Sequence, residues 1–338
     1  MASQGRVFLR GIASGNYSLE DFRARQLAAP RVRSDAVVVD DAQVGHSGDS
    51  DRSRTWWRIG PGDEPFLTQS LQVHFVALPP RSSNHGHGHQ NEAAFYILEG
   101  RGYEVHDGLR YDWTTGDLVL VHADSVHRHF NPYDEPATAL VFKAKSLWMY
   151  LGLLQQGRSA PVADPEKFGE RVEWGQIWTP GVVERKKVVS QADTEWVETG
   201  LGRVRVLSSP ERDDVRTFSV DTFELAIPSG GRSGRRWQMA DEVLYVLDGS
   251  GYSLHWEVQA EIAEKYHARI ALNPTRHEIT KGDTLYVPHN TIAQHFAADG
   301  TALRLLSGQN RAFKLLGYHR QVMLEDAPVS TMTAGAGA

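Results

Sequence analysis

The sequence of 338 residues contains no cysteine. Without thiol groups the chain can form no disulfide, zinc ribbon or iron–sulfur cluster, and it has no thiol nucleophile. Any metal site must therefore use histidine nitrogen or oxygen atoms as ligands.

Dense clusters of lysine and arginine are also missing, and the formal net charge is -6. The electrostatic attraction that dominates binding to nucleic acids is therefore weak, and we expect no nucleic-acid partner. No run of about 18 apolar residues is long enough to cross a bilayer. The N-terminal stretch MASQGRVFLRGIASGNYSLEDF lacks the apolar core of a signal peptide, so we expect a cytoplasmic protein with no membrane partner.

What the chain does have is a series of short apolar stretches separated by Pro, Gly, Asn and Asp. Between residues 68 and 142 they include SLQVHFVAL, AAFYILEG and GDLVLVHAD, and their spacing predicts an antiparallel sandwich or barrel. A second series begins near Thr217. FYILEGRGYEV in the first series corresponds to LYVLDGSGYSL in the second, which indicates an internal duplication.

Two segments outside these series predict helices. SLEDFRARQLAA near the N-terminus begins with a serine that can cap a helix. SLWMYLGLLQQG, between the two copies, repeats its apolar residues at helical spacing. The small residues of the final VSTMTAGAGA predict a disordered tail.

Three histidines alternate in the stretch NHGHGHQNE, at positions 85, 87 and 89, and Glu92 follows them. Side chains on a regular strand alternate between its faces, so all three histidines can share one face and parity alone cannot choose among them. Two histidines on one strand, with a third on a neighbouring strand, can occupy one face of an octahedral metal site. The choice of ligands therefore needs a fixed register.

The turn that ends at Gly100 supplies this register. Counted from it, the stretch resembles the first motif of the cupin family, in which His-x-His precedes a Glu and six further residues separate that Glu from a Gly. The count places Ala93 in the glutamate position, so Glu92 misses by one residue and is expected to point away from the metal. The same count makes His87 and His89 the ligand pair and leaves the first of the three histidines in the approach loop.

The second cupin motif runs Gly, five residues, Pro-x-Gly, two residues, His, three residues and Asn. The segment from Gly116 to Asn131 resembles it, with His127 in the histidine position. His122 and Asp124 stand in place of its proline and glycine, so the shape of the turn is expected to differ. The resemblance thus implies three histidine ligands.

The second copy departs from the pattern at every ligand position. When its Gly249 is aligned with the glycine of the first motif, Arg236 and Gln238 replace the histidine pair, and Ala293 replaces the third histidine. Glu242 occupies the glutamate position. We therefore expect a C-terminal barrel without metal that serves a structural, regulatory or assembly role.

The resemblance predicts an all-β fold of two tandem cupin barrels, each a jelly roll, with a few flanking helices. The expected segments are an N-terminal extension with a helix (1–60), a metal-binding cupin (61–145), a helical linker (146–190), a degenerate cupin (191–325) and a disordered tail (326–338).

A two-barrel cupin that has Ala in place of Glu, and ligands in its first barrel only, resembles the gentisate and salicylate 1,2-dioxygenase group. This resemblance implies Fe(II) bound by His87, His89 and His127, and a homo-oligomer, either a dimer or a tetramer. It implies O2-dependent ring cleavage between a hydroxyl- or amino-bearing carbon and the carboxyl-bearing carbon, with His129 beside the substrate as a hydrogen-bonding or proton-transfer residue. Three neutral ligands leave the positive charge of the ion uncompensated, so that it can bind an anionic substrate. Imidazole ligands also suit Zn, Cu and Ni.

The substrate pocket is expected to differ from that of the group. Phe95 stands where the group has an arginine that pairs with the substrate carboxylate, and Val76 where it has a glutamine. Gln72 and His74 share the parity of Val76, and Lys143 can replace the lost positive charge, although each can equally be an outward-facing strand residue. We therefore expect a nitro-, chloro- or amino-benzoate or a hydroquinone-like compound rather than gentisate itself.

Other functions remain open. A flavonol dioxygenase or a sugar isomerase has a similar fold but commonly uses a glutamate ligand, so a Glu92 ligand would favour one of them. A non-enzymatic storage or sensor protein keeps both barrels and loses ligands from each.

Overall fold

The computed structural model describes residues 20–33, 53–60, 68, 70–123, 125–153, 156–158, 161–162, 164–172, 185–209, 211–215 and 217–328. The chain divides into two compact units, one of residues 1–8, 38–193 and 208–220 and the other of residues 9–37, 194–207 and 221–338. We call the β-structures of these units the N-barrel and the C-barrel.

The first elements in chain order are α1 (Glu20–Ala28), β1 (Arg31–Val32), β2 (Arg54–Ile59), β3 (Gln72–Leu78), β4 (Ser82–Ser83), β5 (His87–His89), β6 (Ala93–Glu99), β7 (Arg101–His106), β8 (Leu109–Thr114), β9 (Leu118–Val121), β10 (Ser125–Asn131), β11 (Ala137–Lys143), α2 (Lys145–Tyr150) and β12 (Gln156–Arg158).

The remaining elements are β13 (Val188–Val189), a 3-10 turn (Gln191–Asp193), β14 (Val197–Thr199), β15 (Gly202–Ser208), β16 (Val220–Ile227), β17 (Arg235–Gln238), β18 (Glu242–Asp248), β19 (Ser250–Ile262), β20 (Tyr266–Ile270), β21 (Thr275–Thr280), β22 (Thr284–Val287), β23 (Thr291–Ala297), β24 (Leu303–Asn310), α3 (Ala312–Leu315) and β25 (Gln321–Glu325).

The N-barrel consists of two antiparallel sheets. One has the strand order β13-β9-β6-β11-β3-β2, and the other has the order β12-β5-β10-β7-β8, with β4 paired to β10. Every second residue of the facing strands points inward, as the period of a β-strand requires. The inner core contains Leu78, Ala93, Phe95, Ile97, Trp113, Val119, Val121, Ala137, Ala139 and Val141.

The C-barrel repeats this arrangement. Its sheets have the orders β1-β22-β18-β24-β16-β15-β14 and β20-β19-β23-β17-β25, with β21 paired to β19. Strand β19 is 13 residues long, and its far half pairs with β20. The all-β prediction with two tandem barrels is therefore confirmed.

A glycine in the left-handed region marks the same place in each barrel. Gly100 follows β6 with φ +85°, and Gly249 follows β18 with φ +84°. A Cβ atom at Gly100 would lie 2.5 Å from the Pro136 carbonyl oxygen. A larger residue would therefore be strained both by this close contact and by the positive φ angle. The turn therefore fixes the register on which the choice of histidines depends.

The helices are shorter than the sequence pattern suggests. The N-terminal helix is present as α1, although the predicted capping serine lies outside the described residues. The helix predicted for SLWMYLGLLQQG ends at Tyr150, because Gly152 adopts φ +72°, and residues 156–158 form a strand instead. Within the described ranges, no helix is long and apolar enough to cross a bilayer. Residues 329–338, in the predicted disordered tail, are outside the described part of the chain.

Candidate metal centre

Three histidines of the N-barrel meet on its inner face. His87 and His89 lie on β5, and the antiparallel register with β10 places His127 directly opposite His87. The ring centroid of His127 lies 4.4 Å from that of His87 and 4.9 Å from that of His89. One nitrogen from each ring can be chosen so that all three lie within 4.8 Å of one another. This group, which we call the histidine cluster, has the spacing of ligands around a single metal ion.

Backbone carbonyl groups orient two of these rings. Nδ1 of His87 donates a hydrogen bond of 2.8 Å to the His85 carbonyl oxygen, and Nδ1 of His89 donates one of 2.6 Å to the Asn91 carbonyl oxygen. The lone pair of each ring is then on Nε2, as in metal-binding histidines whose other nitrogen is held by a carbonyl group. His85 thus contributes its backbone oxygen rather than its imidazole.

Buried nitrogen atoms of the cluster lack protein partners. Among the described residues, neither Nε2 of His89 nor either ring nitrogen of His127 has a hydrogen-bond partner. Leaving such a group buried and unpaired costs about 1–3 kcal/mol. Burial also lowers the pKa of both rings, His89 and His127, well below the ordinary value, so both are neutral at pH 7. Neutral rings with unused lone pairs are the form that a divalent cation requires, and the cluster therefore fits a metal ion.

Glu92 lies outside the cluster and is held elsewhere. Its carboxyl oxygen Oε2 accepts hydrogen bonds from the backbone N–H groups of Phe218 (2.6 Å) and Ser219 (2.7 Å) and from the Ser219 hydroxyl (2.9 Å). Its other oxygen lies 3.8 Å from the Arg185 guanidinium. Burial raises the pKa of Glu92, and these contacts act in the opposite direction. The side chain thus fastens β6 to residues 218–219.

The predicted substrate-binding residues share the inner face with the core. Val141 of that core is opposite His74 on β3 and opposite Phe95 on β6. Two residues further along β11, Lys143 is opposite Gln72, and residue 139 is opposite Val76. The structure therefore brings all five predicted residues to the inside of one sheet.

A small apolar pocket lies beside the histidine cluster, on the side of His129. Val76 and Phe95 line it, and His129 is the imidazole in its wall. The ring centroid of His129 is 4.6 Å from that of Phe95 and 5.3 Å from that of His127. Burial lowers the pKa of His129 to about 3, so the ring is neutral. The remaining lining residues are Leu78, Ile97, Trp113, Ala137, Thr138 and Ala139.

Lys143 is a cation on the inner face of the N-barrel, near Phe95. Its ammonium nitrogen lies 5.9 Å from the ring centroid of Phe95. After burial itself, the positive charge of Lys143 is among the causes that lower the pKa values of His89, His127 and His129. A positive charge on the inner face attracts an anionic group to the same space.

Sequence reasoning missed one buried acid near the cluster. Glu104 on β7 is fully buried and is opposite His129 in the register with β10. The signal was present, because in GYEVHDG the side chains of Glu104 and His106 have the same parity. Two polar side chains on the inner face of a predicted strand should have marked them as site residues.

The C-barrel places an ion pair where the N-barrel has its cluster. Arg236 is opposite Ala293, as His87 is opposite His127. The Arg236 guanidinium donates to the buried carboxylate of Glu242, which also accepts a hydrogen bond of 3.3 Å from Gln238. The guanidinium takes over the positive charge that a metal ion would supply.

Comparison with known proteins gives a family for part of the chain and a fold for most of it. Residues 74–143 match the Cupin domain family. Sequence comparison with curated proteins gives no match. Among solved structures, two variants of salicylate 1,2-dioxygenase from Pseudoaminobacter salicylatoxidans in complex with gentisate are similar. One has a TM-score of 0.60 at 14% identity and covers 91% of each chain. The other has a TM-score of 0.59 at 13% identity and covers 94% of this chain and 97% of that one.

The same fold also occurs in procruciferin, an 11S globulin from Brassica napus. That structure has a TM-score of 0.55 at 11% identity and covers 78% of this chain and 82% of that one. Identities this low show a common fold, and activity has to be argued from the site. Residues 74–143 therefore match the Cupin domain family, and the chain has the two-barrel fold seen in the salicylate 1,2-dioxygenase structures.

Proposed function

We propose that this protein is an Fe(II)-dependent dioxygenase that cleaves the ring of a substituted salicylate- or gentisate-like aromatic acid. The cleaved bond joins the hydroxyl- or amino-bearing carbon to the carboxyl-bearing carbon. The observation that carries this proposal is the cluster of His87, His89 and His127, which contains no carboxylate within the described part of the chain and adjoins an apolar pocket.

The donor set supports this choice of chemistry. His87, His89 and His127 would hold the ion as three neutral ligands, and Glu92 would not join them because its carboxyl group is held by residues 218–219. When bound, the ion supplies uncompensated positive charge, open coordination positions for an anionic aromatic acid and O2, and a path for electrons. Iron, among the metals that imidazole binds, is proposed from the similarity to salicylate 1,2-dioxygenase.

Residues of the pocket then have distinct roles. Val76 and Phe95 contact the flat faces of the aromatic ring and exclude water from it. Lys143 holds an anionic group of the substrate, and His129 donates or accepts a hydrogen bond at the reacting oxygen. Gln72, buried opposite Lys143, supplies a further polar contact, and we assign the same role to His74.

The shape and charge of the pocket favour a substituted substrate. Phe95 offers no bidentate partner for a carboxylate, and a single ammonium group is a weaker and less directional substitute for an arginine. An apolar wall in the same place suits a chloro, nitro or similar substituent. We therefore propose such a benzoate or a hydroquinone-like compound over gentisate, in a cytoplasmic homo-oligomer.

The second candidate is a non-enzymatic cupin, for which the likeness to the 11S globulin is the supporting observation. A storage or sensor role requires no free metal ligands. The buried unpaired nitrogens of the histidine cluster therefore favour the enzyme.

Oxygen uptake tests the proposal. The protein is loaded with Fe(II) without oxygen and then mixed with substituted salicylates, gentisates, anthranilates and hydroquinones, while ultraviolet spectra follow ring opening. We expect uptake coupled to a ring-opened product for at least one acid, and none for its primary amide. A matched pair, Lys143→Met and Lys143→Arg, should raise KM strongly in the first and weakly in the second. No uptake with any compound by protein that carries iron would disprove the proposal.

A further inference from the structure

Glu104 is a buried acid for which the proposed reaction gives no role. Its exposed fraction is 0%, and it lies on β7 opposite His129 on β10. Among the described residues, neither carboxyl oxygen of Glu104 has a hydrogen-bond partner. A carboxyl group this deeply buried destabilises the folded protein unless another group forms a hydrogen bond or an ion pair with it.

The ring of His129 lies close to this carboxyl group. Oε2 of Glu104 lies 3.8 Å from Nδ1 of His129, about 1 Å more than a hydrogen bond. Contacts between catalytic groups are often this long before substrate binds and shorten when it does. Because Nδ1 faces Glu104, the nitrogen left for a molecule in the pocket is Nε2, which has no partner within the described ranges.

The charge state of Glu104 determines which way a hydrogen bond would run. Burial raises the pKa of Glu104 to about 8, with Lys187 lowering it and Asp107 raising it to a smaller degree. The carboxyl group is thus protonated at neutral pH and carries one O–H donor. An O–H group at Oε2 would point at Nδ1 of His129, so the ring would accept the hydrogen bond there and carry its own proton on Nε2.

The C-barrel shows the same pairing with a different donor. Ser253 on β19 is opposite His295 on β23, in the register that pairs Glu104 with His129. The Ser253 hydroxyl lies 3.0 Å from Nδ1 of His295, and burial lowers the pKa of this ring to about 3. In both barrels an oxygen atom of a side chain on the neighbouring strand therefore faces Nδ1 of the equivalent histidine, within hydrogen-bond distance in the C-barrel and at 3.8 Å in the N-barrel.

We propose that Glu104 is a positioning residue for the reaction, holding Nδ1 of His129 so that the Nε2–H group is presented to the substrate. The part of this inference that concerns catalysis rests on the proposed function. The part that concerns the ring of His129 does not, and it can be tested without turnover.

The test compares Glu104→Gln with Glu104→Leu in the full chain. Glutamine keeps a donor of the same size, whereas leucine removes the donor and fills a similar volume. The first measurement is 15N NMR of histidine-labelled, zinc-loaded protein, with His129 assigned from a His129→Gln spectrum. We expect the Nδ1 resonance of His129 to move in E104L and to stay in place in E104Q, while that of His295 is unchanged in both.

Ser253→Ala is the matched control, because it should move the Nδ1 resonance of His295 and leave that of His129 unchanged. Metal content and melting temperature are measured for every variant. If E104L does not fold, Glu104→Met takes its place, since its flexible side chain fills the same volume. An unchanged His129 resonance in a folded, donor-free variant would overturn the inference, whatever substrates the enzyme accepts.

The second measurement is steady-state kinetics with a substrate found by oxygen uptake. We expect E104L to lower kcat by at least about tenfold with KM within about twofold of wild type, and E104Q to retain kcat within about threefold. Equal losses in the two variants would contradict a positioning role, because only the donor distinguishes them. A finding that no tested compound is turned over would count against the proposed function and leave the NMR result to decide the position of His129.

Discussion

The two barrels have the same strand register and different ways of balancing charge inside it. In the N-barrel, His87 and His89 face β10 across from the third histidine. In the C-barrel, Arg236 and Gln238 occupy the corresponding places, and Glu242 completes a buried ion pair. At these matching positions the N-barrel has three imidazole rings that can bind a cation, whereas the C-barrel already contains a cation and an anion.

This difference shows why the loss of ligands did not destroy the second barrel. A buried carboxylate such as Glu242 needs a positive partner, and the Arg236 guanidinium supplies one permanently. In the N-barrel the position of Glu242 is taken by Ala93, since both residues begin the strand before the marker glycine. At these matching positions the N-barrel has three histidines and no carboxylate, and the C-barrel has a carboxylate and no histidine.

The largest expected effect is the loss of metal from the N-barrel. His127→Ala removes one of three ligands. Loss of a residue that only hydrogen-bonds to a ligand typically lowers metal affinity about 10–100-fold, and we expect a much larger loss of iron or zinc affinity here. The measurement is metal content after loading and gel filtration, with one ion per chain expected in wild type. His85→Ala is the control that should keep its metal, because His87 uses only the His85 carbonyl oxygen. Two ions per chain in wild type would show that the C-barrel also binds a metal ion, which would contradict the proposed difference between the barrels.

A destabilised C-barrel is the next largest effect. Arg236→Met leaves the carboxylate of Glu242 buried without its cation, which costs about 3–5 kcal/mol of folding free energy. Replacing both residues, as Arg236→Met with Glu242→Leu, should recover most of this loss because no charge is then buried. Urea unfolding followed by tryptophan fluorescence measures all three proteins. A double variant as unstable as the single one would show that packing, rather than charge balance, maintains this interior.

The sequence allowed the fold and the cluster to be predicted because both depend on local signals. Alternating strands, the repeated Gly100 and Gly249 turns and the His87-x-His89 spacing are read from neighbouring residues. The partners of Glu92 could not be predicted, since Phe218 and Ser219 are more than 120 positions away in the chain. No periodicity reports a contact of that kind.

Two other errors, one at the helix and one at the inner face, have separate causes. SLWMYLGLLQQG has helical spacing, but Gly152 adopts a left-handed conformation that ends the helix early. Glu104 was overlooked because its value to the site comes from His129 on the neighbouring strand, and pairing between strands is a tertiary property.

The free energy of unfolding should depend on pH through Glu104 in the N-barrel, but not through Ser253 at the matching position of the C-barrel. The folded protein raises the pKa of Glu104 to about 8, above its ordinary value of 4.5, so the folded state holds this proton more tightly than the unfolded state. The contribution of Glu104 to folding stability is therefore fully present below about pH 4.5 and is lost as the pH rises toward 8. We expect wild type to lose about 2–4 kcal/mol relative to Glu104→Gln across this window, at about 1.4 kcal/mol per unit of pKa.

The measurement is the difference in unfolding free energy between the two proteins at pH 5 and at pH 8, which cancels the contributions of the other titrating groups. Ser253→Ala has no acid to titrate and should differ from wild type by the same amount at both pH values. A constant difference for Glu104→Gln would mean that the carboxyl group is ionised in the folded protein throughout.

The smallest expected effect, and the sharpest test of the comparison, comes from moving the acid of the C-barrel into the N-barrel. Ala93→Glu places a carboxylate where the C-barrel has Glu242, on the first residue of the strand and facing the cluster. A fourth, anionic ligand should strengthen metal binding and weaken the attraction of the ion for an anionic substrate, so we expect KM to rise about tenfold, or about 1.4 kcal/mol. Ala93→Gln has the same size without the charge and serves as the control. If both variants raise KM equally, the added volume is responsible, and the lack of a carboxylate at position 93 has no bearing on the choice of substrate.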